Sequence, residues 1–145
     1  MILYLDTSAL LKKYFHEEGS EDVISRWRAA DEIVTSCVTF AETLASIHRK
    51  QRESETTNSL LETVIDSFKQ DWTAFYLVEV ANDLNDTIEK VLAKHPLRGF
   101  DAIHLASALI IRDTAVRDFT FACYDRRLSR AARSEGLNIF PGRIS

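Results

Sequence analysis

The first residues of the chain constrain its fold most strongly. Ile2–Leu5 is a short apolar run without a turn residue, and Asp6 follows it directly. Thr7 and Ser8 then precede a helix-prone stretch that begins at Ala9. This order predicts a buried strand that ends in a carboxylate and turns into a helix. In open α/β sheets ligands bind at that end of a strand. The function therefore depends on whether other acids reach the same place.

Apolar strands and amphipathic helices alternate along the rest of the sequence. Further strands are predicted at residues 33–35, 72–77, 119–124 and 138–140. Helices are predicted at residues 21–30, with Ser20 as the N-cap, and at 39–52, 59–69, 80–94, 101–112 and 126–135, the last of which ends before Gly136. The alternation predicts a three-layer α/β/α sandwich with a short, mainly parallel central sheet. We expect residues 1–145 to form one domain.

Composition narrows the class of protein. The 145 residues are 46% hydrophobic and 28% charged, as in an ordinary globular protein, and the net charge is −4. That charge argues against general coating of nucleic acid, although it leaves room for a local basic strip. We expect a cytoplasmic protein, because no apolar run is long enough to span a membrane and no signal segment precedes the first strand. Cys37 and Cys123 are expected to be buried, reduced thiols.

Two aspartates have matching positions. Asp6 and Asp125 each follow an apolar strand and precede a helix. Either one alone fits a helix N-cap, which is worth about 1 kcal/mol. Because parallel strands end at the same edge of a sheet, the pair favours a functional site there. Thr7 and Ser8 could add hydroxyl groups at that edge.

Two further acids begin helices. Glu42 follows Thr39 with the spacing of a capping box, and from spacing alone capping is favoured over catalysis. Asp101 begins an apolar helix that contains small alanines, so its carboxylate needs a partner or a metal. His104 lies one turn later, where a structural histidine is favoured over a metal ligand.

The four acids and their surroundings resemble those of PIN-domain nucleases. The matching stretches are Tyr4-Leu5-Asp6-Thr7-Ser8-Ala9-Leu10, Thr39-Phe40-Ala41-Glu42, Phe100-Asp101-Ala102-Ile103-His104-Leu105-Ala106 and Tyr124-Asp125-Arg126-Arg127-Leu128. The length also resembles that of the stand-alone toxins of VapBC-type toxin–antitoxin pairs. The family usually has Thr or Ser two residues before its last acid, where this chain has Cys123.

The resemblance implies a PIN-like fold and a ribonuclease that depends on Mg²⁺ or Mn²⁺. It also implies an RNA substrate, a partner antitoxin and often a homodimer. On this hypothesis Asp6 and Asp101 are the principal metal ligands, Glu42 is a ligand or holds the attacking water, and Asp125 binds a second metal or orients water. Candidates for contact with substrate phosphates are cations on the first and last helices and a hydroxyl at the first strand end: Ser8, Lys12, Lys13, Arg126, Arg127, Arg130 and Arg133.

Two other functions remain open on the sequence alone. One is a degenerate PIN-like module that binds RNA or protein without cleaving it, which the substitution at Cys123 allows. The other is a phosphatase with Asp6 as its nucleophile, although Ser8 stands where such enzymes commonly carry a second aspartate. Trp27, Trp72 and Phe75 could line a partner-binding groove, but core packing is the favoured role for each.

Overall fold

The structure is a computed structural model that describes residues 1–55 and 57–142. The strands in this part of the chain are β1 (Ile2–Leu5), β2 (Glu32–Ser36), β3 (Tyr76–Val78), β4 (Phe119–Ala122) and β5 (Asn138–Phe140). The α-helices there are α1 (Thr7–Tyr14), α2 (Ser20–Ala29), α3 (Val38–Ser54), α4 (Asn58–Trp72), α5 (Asn85–Lys94), α6 (Gly99–Thr114) and α7 (Arg126–Ser134). A short 3₁₀ turn, Asn82–Leu84, precedes α5.

The strands form one parallel sheet in the order β3-β2-β1-β4-β5. The first strand lies at the centre, where Ile2 pairs with Phe119 of β4 and Tyr4 pairs with Val34 of β2. Because all pairings are parallel, the carboxyl ends of the strands share one edge, which we call the carboxyl edge. The predicted parallel sheet is confirmed, and Asp6 and Asp125 follow adjacent strands at this edge.

Helices cover both faces of the sheet. Along β1, Ile2 and Tyr4 belong to one apolar cluster and Leu3 and Leu5 to the other, as the alternation of side chains in a strand requires. Side chains from α5, α6 and α7 complete the first cluster, and side chains from α1 to α4 complete the second. The predicted three-layer α/β/α sandwich is therefore confirmed.

Several predicted boundaries were wrong. Trp72 was assigned to a strand, but it ends α4 and contacts the rings of Phe68 and Phe75, at centroid distances of 5.6 and 5.9 Å. Trp27 also packs against Phe75, at 5.5 Å, so all three aromatic residues considered for a partner groove lie in the second apolar cluster. Tertiary packing of aromatic side chains decided this segment, and their strand propensity did not.

Ser20 does not cap α2 as predicted. Gly19 occupies the N-cap position with φ of 93°, a left-handed conformation that glycine adopts without steric cost. The Ser20 hydroxyl instead donates to the carbonyl of Phe15 and accepts from the backbone N–H of Glu17. The serine thus stabilises the turn between α1 and α2.

The helix predicted over residues 80–94 is shorter than expected, because it begins only after the 3₁₀ turn at Asn82–Leu84. None of the helices in the described part of the chain combines the length and the apolar character needed to cross a bilayer. Both cysteines are free. Cys123 is buried as expected, whereas Cys37 is only half-buried.

Candidate active site

Asp6 lies at the carboxyl edge as the N-cap of α1. Its side chain is buried, with 4% of the residue exposed, and accepts hydrogen bonds from the N–H of Ala9 at 2.9 Å and the hydroxyl of Ser8 at 2.7 and 2.9 Å. The expected cap is therefore present. Its burial disfavours attack on a phosphate ester, and with it the phosphatase alternative, whereas Oδ2 keeps a lone pair for a further ligand.

Ser8 connects the end of β1 to the end of β4. Its oxygen donates to Asp6 and accepts the backbone N–H of Tyr124 at 2.8 Å. Asp125 is the next residue, and it caps α7 by accepting the N–H of Leu128 at 2.8 Å. The Ser8 hydroxyl is thus engaged by the protein itself, so its role here is to hold two strand ends together.

Glu42 does not form the capping box that its spacing suggested. The Thr39 hydroxyl shares a hydrogen bond with Thr35 at 2.8 Å, and the helix already begins at Val38. The Oε1 atom of Glu42 instead accepts from the Thr7 hydroxyl at 2.6 Å and from His104 Nε2 at 2.8 Å. Long-range partners have therefore turned Glu42 toward the carboxyl edge.

His104 is a satisfied, buried histidine, as the sequence favoured. It is 2% exposed, and its Nδ1 atom lies 2.9 Å from the hydroxyl of Tyr4. Asp101 lies one turn earlier on α6, with its side chain 22% exposed and 3.6 Å from Arg98 Nε. The helix thus presents a buried imidazole and a more open carboxylate near the same edge.

A groove of about 890 Å³ lies beside these acids. Asp101 and Asp125 both line it, together with Arg126, Arg127 and Arg130 from the start of α7. We call it the arginine groove. Asp6 and Glu42 do not line it, so the acids divide into a pair that faces the groove and a pair that does not.

The cations proposed from the sequence also divide. Arg126, Arg127 and Arg130 are exposed and line the arginine groove, and none of them forms an ion pair with a described residue. Lys12 pairs with Glu17, and Lys13 pairs with Asp71. Arg133 donates to the carbonyl of Gly142 in a neighbouring groove. Three of the six proposed cations thus remain available beside the acids.

Electrostatics connect Asp101, Asp125 and Glu42. Burial, followed by the negative charge of Asp125, raises the pKa of Asp101, and Glu42 adds to this effect. Burial also raises the pKa of Asp6, although His104 and the hydrogen bond from Ser8 oppose it. Burial likewise acts to raise the pKa of Glu42, but the bonds from His104 and Thr7 outweigh it and lower that pKa. Like charges therefore repel at this edge unless a cation offsets them.

Comparisons with known proteins agree with this arrangement. The family model described as PIN domain matches residues 3–134. The chain belongs to the PIN-domain family. The ribonuclease VapC45 of Mycobacterium tuberculosis (strain CDC 1551 / Oshkosh) is 30% identical to this PIN domain over 99% of the chain and 97% of its own length. The resemblance drawn from the four acidic stretches is thus confirmed.

Two solved structures share the fold of this PIN domain. The crystal structure of FitAcB from Neisseria gonorrhoeae has a TM-score of 0.71 at 15% identity, covering 97% of this chain and 96% of that one. A toxin-antitoxin complex from Klebsiella pneumoniae has a TM-score of 0.62 at 14% identity, covering 88% of this chain and 90% of that one. At these identities the likeness supports the three-layer fold alone.

The donor atoms of this PIN domain fit an open site for a hard cation. PIN-domain ribonucleases generally use divalent metal ions, and Mg²⁺ typically binds one or two carboxylates while keeping several waters. In residues 1–55 and 57–142, no three or more acids, histidines or cysteines lie together so that they could hold a metal ion on their own, so water and substrate would have to complete the coordination. The carboxylate oxygens and the mutual repulsion of Asp101, Asp125 and Glu42 suit a cation that retains water and substrate ligands.

Sequence reasoning missed several residues of this PIN domain. Arg98 lines the arginine groove and pairs with Asp101, and its i,i+3 spacing from that acid was the available signal. Tyr4 was expected only as a strand residue, and Thr7 only as a hydroxyl at the strand edge, but their bonds to His104 and Glu42 join distant segments. Local sequence patterns do not predict such long-range contacts. At Cys123 the Sγ atom accepts the N–H of Asp125 at 3.3 Å, a contact that the usual hydroxyl also allows.

Proposed function

We propose that this chain is a metal-dependent endoribonuclease that hydrolyses RNA phosphodiester bonds, and the toxin component of a toxin–antitoxin pair. One observation carries the proposal: acids from four distant segments meet at one edge of the sheet beside a groove with unpaired arginines. Carboxylates that repel one another destabilise a fold unless a cation offsets their charge. Its similarity to VapC45, whose name is that of a ribonuclease, supports the reaction class.

We assign metal binding to Asp6, Glu42, Asp101 and Asp125, with Mg²⁺ or Mn²⁺ as the cation. Asp101 and Asp125 reach the arginine groove directly, which makes them the acids nearest to a bound substrate. Glu42 has one oxygen engaged by Thr7 and His104, so its other oxygen is the candidate ligand. Asp6 is the most buried member, and its charge is held by Ser8 and Ala9.

The chain's own groups prepare the reaction. When bound, a divalent cation lowers the pKa of water and offsets the negative charge that develops on the phosphate. The arginine groove holds the RNA backbone through Arg126, Arg127 and Arg130. One guanidinium group can donate two parallel hydrogen bonds to the oxygens of one phosphate. Glu42 and Asp125 are placed to accept a hydrogen bond from a water molecule and so orient it toward the phosphate.

The proposed partners follow from the relatives. A cognate antitoxin would bind this chain, as the name of the Klebsiella pneumoniae complex states for that assembly. We also propose a homodimer and a cytoplasmic RNA target, in keeping with the VapC-type resemblance.

Two substitutions test the proposal. Asp6→Asn and Asp101→Asn should each abolish Mg²⁺- or Mn²⁺-dependent cleavage of RNA by the purified protein, because each removes a charged ligand. Asp66→Asn is the matched control, since Asp66 is an exposed acid on α4 and does not line the arginine groove. Circular dichroism would verify that every variant is folded. Cleavage retained by either site variant would refute the assignment.

A further inference from the structure

A chain of hydrogen bonds connects the centre of the sheet to Glu42. The hydroxyl of Tyr4 lies 2.9 Å from His104 Nδ1, and His104 Nε2 lies 2.8 Å from Glu42 Oε1. Tyr4 is 0% exposed and His104 is 2% exposed, whereas the Glu42 side chain is 28% exposed. The chain therefore runs from the core to an acid at the surface.

The direction of these bonds follows from chemistry. A carboxylate only accepts hydrogen bonds, so Nε2 of His104 must carry the proton that it shares with Glu42. In a neutral imidazole the other nitrogen is then an acceptor, and the Tyr4 hydroxyl must donate to it. Glu42 and Tyr4 are thus compatible with the same tautomer, in which His104 donates to the acid and accepts from the hydroxyl.

Tyr4 is itself firmly held. It lies on the central strand β1, and its ring stacks on Phe121 of β4 at a centroid distance of 5.3 Å. The same ring meets the His104 imidazole edge-on at 6.0 Å. Two adjacent strands and α6 therefore fix the position of the imidazole, and the position of one oxygen of Glu42 with it.

Thr7 completes the restraint. Its hydroxyl donates to the same Glu42 oxygen at 2.6 Å. Among the described residues, none hydrogen-bonds the second oxygen, Oε2. A glutamate side chain free at a helix surface has several rotamers, and ordering it on binding a ligand costs conformational entropy. Here that cost is met in the folded protein before any ligand arrives.

We infer that His104, held by Tyr4, is a positioning residue that fixes the Glu42 carboxylate and leaves its second oxygen free for the divalent cation. This inference rests on the proposed metal site. Any buried histidine needs polar partners at its ring nitrogens, but here one partner is a part-exposed acid at the carboxyl edge, so the imidazole also fixes the position of that acid. Partners that orient a ligand typically change metal affinity or activity by about 10- to 100-fold when they are removed.

The test compares variants by calorimetric titration with Mn²⁺. Tyr4→Phe keeps the ring that stacks on Phe121 and removes only the hydroxyl, and His104→Gln removes the imidazole. Each should weaken Mn²⁺ binding on the order of 10-fold and lower kcat while KM for RNA stays unchanged. Tyr14→Phe is the matched control, because it removes a hydroxyl bond to Asp71, which is not one of the four site acids. It should leave Mn²⁺ affinity as it is.

A spectroscopic measurement supplies an independent reading. Nitrogen-15 chemical shifts of the wild-type imidazole should show the Nε2–H tautomer for His104, and Tyr4→Phe should move the Nδ1 signal, because that nitrogen loses its hydrogen bond. The inference is overturned if wild type binds Mn²⁺ and Asp101→Asn abolishes binding, yet folded Tyr4→Phe binds Mn²⁺ as tightly as wild type. If wild type takes up no Mn²⁺, the proposed metal site fails and this inference fails with it.

Discussion

Replacing Arg126, Arg127 and Arg130 together with alanine should change how RNA binding depends on salt. These arginines are exposed, they line the groove that also holds Asp101 and Asp125, and they form no ion pair within the described part of the chain. Free cations of this kind bind phosphates and release counterions. For single-stranded nucleic acid, each neutralised phosphate contributes about 0.7 to the slope of log K against log salt.

The expected change follows from that number. If each of the three arginines contacts one phosphate, the triple variant should have a slope smaller by about 2. Over a fourfold rise in salt, the parent protein should then lose about 20-fold more affinity than the variant. The fold itself should be unaffected, since all three side chains lie outside the core.

Fluorescence anisotropy with a labelled single-stranded RNA measures the slope, and an Asp101→Asn background prevents cleavage during the titration. The matched control replaces Arg28, Arg52 and Arg117 with alanine, which changes the net charge equally but leaves the arginine groove intact. Those three residues are exposed and lie elsewhere on the surface. Equal slopes for the groove variant and the control variant would show that the groove does not hold the RNA backbone.

Three further predictions concern the site and its support. Thr7→Val should lower the free energy of unfolding by about 1.5–3 kcal/mol, because it removes a hydrogen bond to a charged oxygen of Glu42. Thr63→Val is the surface control, and equal shifts of the melting temperature in the two variants would contradict this prediction. Burial, followed by the charge of Asp125, raises the pKa of Asp101 in the folded protein. The folded protein therefore binds a proton at Asp101 more tightly than the unfolded chain does, and above the raised pKa the charged carboxylate lowers the stability of the fold. Asp101→Asn should therefore raise the melting temperature of the metal-free protein near neutral pH, and the gain should shrink as the pH falls toward about 3.9; a gain independent of pH would be evidence against like-charge repulsion. Gly19→Ala should cost more stability than Gly136→Ala in urea denaturation, because both have positive φ but only at Gly19 does a new Cβ come within 3.0 Å of the Tyr124 ring; an equal loss would argue against that contact.

The strand ends of this fold are encoded locally. The apolar runs before Asp6 and Asp125 predict strands that the structure contains, and their parallel pairing brings both acids to one edge. Such a prediction succeeds because a buried strand in a parallel sheet needs a continuous apolar segment, and a helix start favours an acid.

The environment of Glu42 shows where local reading fails. The spacing of Thr39 and Glu42 fits a capping box, yet the acid bonds to Thr7 and His104, which lie far away in the sequence. A side chain at the first turn of a helix can satisfy its own backbone or reach another element, and only the packed fold decides between these. The same reason hid the contact of Tyr4 with His104.

The pairing of β1 with β4 has a consequence for folding during translation. Ile2 pairs with Phe119, so β1 stays without one of its two neighbours until the ribosome has made most of the chain. Asp125 and the arginines of α7 are translated later still. A nascent chain therefore lacks Asp125 and the arginine groove until the ribosome has passed Arg130. The order of the strands thus prevents the site from assembling before β4 and α7 have been translated.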